Sequence, residues 1–208
     1  MSTEKQEIPD IIVARLPRYL RALSVLREKG ETTNSKELGE FLGYSAAQIR
    51  KDLSQFGEFG KQGTGYNIDF LTQQIKSILN IDREWKMLLV GCGNIGRAIL
   101  NYSGFSDNGF HIVAAVDSNP DVVGEKINDK ITVRDISCIE DIIREQELHI
   151  AMITVPANNA QETAERLVNN GITGIISYAP VILNLPPEIR VEYIDPMVSL
   201  QHITYYLV

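Results

Sequence analysis

The sequence predicts an α/β protein in two parts, a small group of helices with a glycine-rich hairpin followed by a doubly wound parallel sheet. Three observations carry that prediction. The chain has 208 residues, 44% hydrophobic and 23% charged, which is enough for one or two ordinary cores and excludes a disordered or fibrous chain. The spacing of apolar residues changes near residue 86, from the three-and-four rhythm of helix faces to short continuous runs separated by helical stretches. Charge is also uneven: residues 1–86 carry 13 Lys and Arg against 12 Asp and Glu, a net +1, whereas residues 87–208 carry 7 against 15, a net -8. Although the whole chain stands at -7, a polyanion is expected to meet the first part rather than the second.

The same inventory narrows the setting. No run of 18 or more apolar residues occurs, and the first twenty residues are charged rather than signal-like, so a cytoplasmic protein with no membrane partner is expected. Cys92 and Cys138 lie 46 positions apart with no CxxC and no nearby histidine. Neither a disulfide framework nor a metal site is expected, and both thiols are assigned to packing.

Element by element, Ile12, Leu16, Tyr19, Leu20, Leu23 and Leu26 mark one face of a first helix that ends near Lys29 and Gly30. Asn34 with Glu37 forms a capping pair for a second, short helix whose apolar side is Leu38, Phe41 and Leu42, and Gly43 stops it. Ser45 with Gln48 opens a third helix with Ile49, Leu53 and Phe56 inward. Gly57, Gly60, Gly63 and Gly65 then fall between aromatic positions, the composition of a hairpin. Asp69 is expected to cap a further helix with Phe70, Leu71, Ile75, Ile78 and Leu79 inside. The predicted division is a helical domain over residues 1–80, a linker over 81–86, a sheet domain over 87–195 and a terminal helix over 196–208.

In the second half, apolar runs at 87–90, 110–116, 149–155, 172–177 and 191–194 read as buried parallel strands. Helical stretches at 94–102, 139–146 and 160–169 alternate with them, and a last apolar segment covers 197–207. The first of these strands runs directly into Gly91-Cys92-Gly93-Asn94-Ile95-Gly96, with a helix following at once. This is GxGxxG in the context a Rossmann-like dinucleotide site requires. Gly91 permits the tight turn, Gly93 lets backbone approach a pyrophosphate, and Gly96 lets helix pack on strand, while the helix N-terminus attracts the phosphates. Asp117, 21 residues past Gly96, ends the second strand, where a carboxylate accepts from a ribose 2'-hydroxyl and repels a 2'-phosphate. NAD is therefore favoured over NADP. Thr154, Val155 and Pro156 close another strand at the same carboxyl edge and are assigned to the ligand cleft.

In the first domain the third helix turns Gln48, Arg50, Lys51 and Ser54 away from its apolar face. Gly39, four residues before Gly43, provides a small residue where two helices cross. Helix, glycine turn, capped basic helix and hairpin together predict a winged helix-turn-helix that enters a DNA major groove. Ser45 at the cap, Lys61 on the hairpin and Arg15 on the first helix are assigned to the DNA, and Arg18 sits on that helix with similar exposure. A nearly neutral domain offers few counter-charges, so a homodimer on an inverted repeat is expected.

With these motifs in place, the chain resembles the Rex family of redox-sensing transcriptional repressors over nearly its whole length. The matching stretches are RLPRYLRAL, QIRKDLSQFGEFGKQGTGY, GCGNIGRAILNYSGF, ITVP, GIISYAP and YIDP. The resemblance implies a homodimer that binds operator DNA through its winged helices and NADH or NAD+ through its C-terminal domains, with NADH releasing the DNA. It implies that Arg50 and Lys51 contact DNA from the recognition helix and Arg15 the backbone. It also implies that Tyr102 serves the nucleotide site and, with Arg21 and Asp195, couples the domains. A carboxylate with two alternative partners, a phenol and a guanidinium, is a switch. The chain departs from the family pattern at Pro196, which follows the terminal aspartate and suits the first turn of a helix. Leu200, Ile203 and Leu207 form an apolar stripe suited either to exchange of this helix between subunits or to an intramolecular core.

Two other functions compete. A small NAD-dependent oxidoreductase with an N-terminal interaction domain would need a general acid or base near the nicotinamide, and His111, His149 and His202 are poorly placed for that role. A second domain that takes coenzyme A or another adenine ligand is compatible with the sheet, although Asp117 favours NAD. Oxidation of Cys92 as the sensed signal is weighed against a small side chain tolerated inside GxG, and the second reading is preferred.

Overall fold

The computed structural model describes residues 8–60 and 65–207, and the chain divides into two units, Met1–Arg83 and Glu84–Val208. Lys61 and the tip of the predicted hairpin lie outside the described residues.

The first unit opens with α1 (Asp10–Val13) and α2 (Leu16–Arg27), where the apolar spacing predicts one helix. The interruption falls just ahead of Pro17, whose ring has no N–H to continue a helix but suits the first turn of a new one. Strand β1 (Thr32–Thr33) leads to α3 (Ser35–Leu42), capped by the Asn34 side chain, which accepts from the backbone N–H groups of Lys36 and Glu37, both at 3.0 Å. Gly43 ends α3 in the left-handed region at φ 74°, as a stop glycine should. Next comes α4 (Ala46–Ser54), whose cap Ser45 accepts from the Gln48 N–H at 3.1 Å. Neither cap is reciprocal, because the Glu37 carboxylate accepts from Thr33 and the Gln48 amide turns to another partner. A Cβ on Gly39 would land on the Tyr44 carbonyl, so the α3–α4 crossing requires glycine there.

Strand β2 (Tyr66–Asn67) pairs antiparallel with β1 and runs into α5 (Ile68–Ile78). The cap of α5 is Asn67, which accepts from the Phe70 N–H at 2.8 Å; the expected cap, Asp69, sits in the first turn and pairs with Arg27 at 2.8 Å. Tyr19, Leu16, Leu23, Leu38, Ile49, Leu71 and Ile75 form the core of this unit. Phe41 and Phe70, expected inside, are 47% and 49% exposed.

The second unit is a six-stranded parallel sheet. In chain order its elements are β3 (Trp85–Val90), α6 (Asn94–Leu100), β4 (Phe110–Asp117), β5 (Arg134–Asp135), α7 (Ile139–Gln146), β6 (Ile150–Ile153), α8 (Ala157–Asn169), β7 (Gly174–Ser177) and β8 (Arg190–Tyr193). Short 3-10 turns precede β4 and α7. The first strand thus begins at Trp85, inside the stretch read as linker, and the two-residue β5 carries too few apolar residues to be seen in the pattern. Strand order is β5-β4-β3-β6-β7-β8, so succession reverses between β4 and β6 on either side of β3. A doubly wound sheet opens its ligand crevice at the carboxyl ends of such a pair.

Alternation along β3 supplies both layers. Leu88 and Val90 pack with Ile139, Ile142, Ala164 and Leu167 of α7 and α8, whereas Met87 and Leu89 pack with Ile99 and Leu100 of α6. A final helix, α9 (Pro196–Thr204), starts at Pro196 with Asp195 as its cap, accepting from the Met197 N–H at 2.9 Å. Its apolar side chains Met197, Val198, Leu200 and Ile203 are all exposed, as is Leu207 beyond it, so the stripe finds no cover within this unit.

Candidate functional site

The glycine loop joins β3 to α6 with each glycine in a different position. Gly91, at φ 96°, would drive a Cβ to 2.9 Å from the Thr154 carbonyl group, and a Cβ on Gly96 would collide with the Gly91 carbonyl. These two are required by the fold itself: Thr154 donates its hydroxyl proton to the Gly91 oxygen at 2.5 Å, which ties the β3 loop to the end of β6. Gly93 differs, because a Cβ there would meet no protein atom within 4 Å. The protein's own packing does not demand glycine at Gly93, whereas a pyrophosphate lying against the backbone would. Asn94 and Ile95 are exposed at the start of α6, Val155 is half-buried, and Pro156 is the residue from which α8 starts.

Asp117 meets this loop at the end of β4. Its Oδ2 accepts from the Cys92 N–H at 2.5 Å and its Oδ1 from the Asn119 N–H at 2.8 Å, so the carboxylate is fixed by two backbone donors. Cys92 itself is buried. Burial, followed by the nearby Asp117 charge, pushes its thiol up to about 12, leaving it protonated and unreactive at neutral pH. Arg97 of α6 forms a bidentate ion pair with Glu125, its Nη2 at 2.5 Å, which clamps the helix to the segment after β4. Sequence reading missed this pair, since nothing in a 28-residue separation signals it. Tyr102, two residues past α6, is 62% exposed and meets Phe105 edge-on at 5.2 Å.

In the first unit, α4 carries Arg50, Lys51 and Ser54 on its exposed side, as its periodicity predicts. Arg50 donates to the Ser35 hydroxyl at 3.0 Å, and Ser54 to the Lys51 carbonyl at 2.9 Å. Gln48 and Arg15 are placed differently. Both reach inward to Asp52, a residue of α4 that is 0% exposed. Arg15 donates Nε and Nη2 to its two oxygens at 2.6 and 2.7 Å, Gln48 Nε2 donates at 2.6 Å, and the buried Tyr19 hydroxyl at 2.5 Å. The Arg15 side chain is only 15% exposed, which corrects the expectation that it shares the exposure of Arg18. Burial alone would raise the Asp52 carboxyl, but hydrogen bonds from Arg15, Tyr19 and Gln48 outweigh it and hold the group below the ordinary carboxylate range.

Asp52 was legible in principle. It lies three residues after Ile49 and four before Phe56, on the inward face, and a carboxylate there demands partners. Arg21 is exposed on α2, and Asp195 caps α9. Among the described residues no helix is long and apolar enough to cross a membrane, and no cluster of three or more His, Cys, Asp or Glu is placed to hold a metal ion.

A capped helix pair in one unit, and a doubly wound sheet whose glycine loop faces a carboxylate in the other, define a helix-turn-helix protein with a dinucleotide-type domain. Comparison with known proteins agrees in both halves: residues 7–54 match a family described as a putative DNA-binding protein N-terminus, and residues 82–181 match the CoA binding domain family. The redox-sensing transcriptional repressor Rex of Roseiflexus sp. (strain RS-1) is 49% identical over 203 residues, covering 97% of this chain and 92% of the relative. Rex 1 of Thermotoga maritima is 43% identical over 204 residues, covering 98% and 97%. Among solved structures, RSP, a Rex-family repressor, in complex with beta-NAD+ and operator DNA superposes with a TM-score of 0.91 at 37% identity, covering 97% of this chain and 93% of that one. RSP in complex with beta-NADH gives 0.87 at 35%, covering 99% and 95%. This chain belongs to the Rex family of redox-sensing transcriptional repressors, and that membership replaces the oxidoreductase alternative.

Proposed function

We propose that this chain represses transcription by binding operator DNA through its first unit, and that NADH in the cleft of its second unit releases the DNA while NAD+ does not. The observation that carries the reading is the similarity to RSP, a protein solved both with beta-NAD+ and operator DNA and with beta-NADH, over nearly the full length of this chain. In the cleft, the open space beside Gly93 suits a pyrophosphate, and Asp117, fixed by two backbone donors, suits a ribose hydroxyl. Gly91, Cys92, Asn94, Ile95 and Gly96 shape the loop, with Thr154, Val155 and Pro156 across from it. Coenzyme A carries a phosphate on its ribose, which a carboxylate at Asp117 would repel, so NAD(H) is the preferred ligand despite the match to a CoA binding domain.

On the DNA side, Arg50, Lys51 and Ser54 face a major groove, Ser45 and Gln48 shape the start of the helix, and Lys61, outside the described residues, is assigned to a phosphate. The repressor works in the cytoplasm as a homodimer on an inverted repeat. The exposed apolar stripe of α9 is covered by the second copy, and Tyr102 and Arg21 compete for Asp195 as the ligand changes.

The test is selection of random-sequence duplexes on the purified chain, followed by gel shifts with NADH, with NAD+ and with coenzyme A. A selected palindrome whose complex dissociates with NADH alone is expected. A complex indifferent to NADH would reject the sensor.

A further inference from the structure

Arg15 is the residue that the sequence points to as a backbone contact, yet in the structure its positive charge is taken up by the buried Asp52 carboxylate, which receives two of its nitrogens. A guanidinium neutralised in this way offers little net attraction to a phosphate. One turn further along α2, Arg18 is exposed, and among the described residues it has no carboxylate within ion-pairing distance. Its Nη1 donates instead to the Tyr44 hydroxyl at 2.7 Å.

Tyr44 is the residue immediately before Ser45, the cap of the recognition helix, and its ring is held on two sides. The Arg15 guanidinium lies over it at 6.0 Å from the centroid, and the buried Tyr19 ring meets it edge-on at 6.4 Å. A chain of contacts therefore runs from the buried Asp52 through Arg15 and Tyr19 to Tyr44, and through the phenol to Arg18. The neutral phenol orients Arg18 without cancelling its charge, and the ordering of a long flexible side chain is partly complete before any ligand arrives.

We infer that Arg18, braced by Tyr44, is a binding site for a backbone phosphate of double-stranded DNA beside the start of the recognition helix. This rests on the repressor reading above. The contact is independent of base sequence, and it fixes the position of the helix that carries Arg50 and Lys51. Arg15 and Asp52 act beneath it as positioning residues.

The experiment measures the affinity of the full chain for its selected duplex and for an unrelated duplex by fluorescence anisotropy across a salt series. For Arg18→Ala, the slope of log affinity against log salt should fall by about 0.9 per protomer, one phosphate neutralised fewer, with the same fold-loss on both duplexes. Tyr44→Phe keeps the ring and the charge, so it should weaken binding severalfold with the slope unchanged. Arg18→Lys should recover the slope. Segment-resolved hydrogen exchange of the first unit in each variant, expected to match the parent, controls for folding. An unchanged slope in Arg18→Ala, or a loss confined to the selected duplex, overturns the phosphate site while leaving the repressor reading intact. Failure of the parent chain to bind either duplex at any salt overturns both.

Discussion

The two candidate sites are built from opposite materials. The candidate nucleotide cleft is built largely from backbone: two glycines demanded by packing, a third left open, and one carboxylate held by the N–H groups of Cys92 and Asn119. The helix-turn-helix relies on side chains instead, and it orders them around a charge hidden from water, Asp52, which gathers Arg15, Tyr19 and Gln48 from two helices. Backbone recognition is tied to the fold and to the absence of side chains. Side-chain recognition needs an internal scaffold, and any loss in that scaffold is felt at the surface.

The largest expected effect comes from breaking the hidden charge. Asp52→Ala leaves the Arg15 guanidinium facing a pocket with no carboxylate, and breaking a buried pair in this way costs about 3–5 kcal/mol. Segment-resolved hydrogen exchange should show the first unit loosened by that order, with NADH binding by the second unchanged. The same carboxylate sets an acid limit. Because its folded value lies below the unfolded one near about 3.9, its contribution is complete above that pH and is lost as pH falls through the folded value. The resistance of the first unit to denaturant should therefore fall below about pH 4, and Asp52→Asn should show a shallower acid dependence.

Next in size, Asp117→Ala removes a charged acceptor worth about 1.5–3 kcal/mol, so calorimetric NADH affinity should fall about 10- to 100-fold. An unchanged value would remove the ribose contact from the account. Arg50→Ala should cost operator binding about 1–3 kcal/mol per half-site while sparing NADH; normal DNA affinity would move recognition to another element. Smallest of all, Cys92→Ala should leave the responses to NADH and to peroxide close to those of the parent, because the thiol is buried and its pKa is raised to about 12. Loss of a peroxide response with NADH release intact would make this thiol a second sensor.

The difference between the units also explains what was readable in the sequence. The GxGxxG loop, the strand before it and the terminal Asp117 were legible because glycine spacing and strand order are local properties. So were the stop at Gly43 and the Asn34 and Ser45 caps. The partners that Asp52 draws from outside α4 were not, since Arg15 and Tyr19 lie 37 and 33 residues away from it and their meeting depends on how α2 packs against α4. Arg97 with Glu125 was hidden for the same reason. Phe41 and Phe70 were misread as core because helical spacing identifies a face but not its edges. The break before Pro17 was overlooked because the apolar rhythm carries through from Ile12 to Leu16 without a gap.

The uncovered helix α9 has a consequence for how the molecule behaves in quantity. A strip of Met197, Val198, Leu200 and Ile203 facing water is adhesive, and a surface of that kind is most cheaply hidden by an identical surface nearby. In the proposed homodimer, assembly that hides it would follow mass action, so the paired fraction would rise with concentration and fall on dilution. On that reading abundance becomes an input in its own right, with promoter occupancy declining steeply as the chain grows scarce.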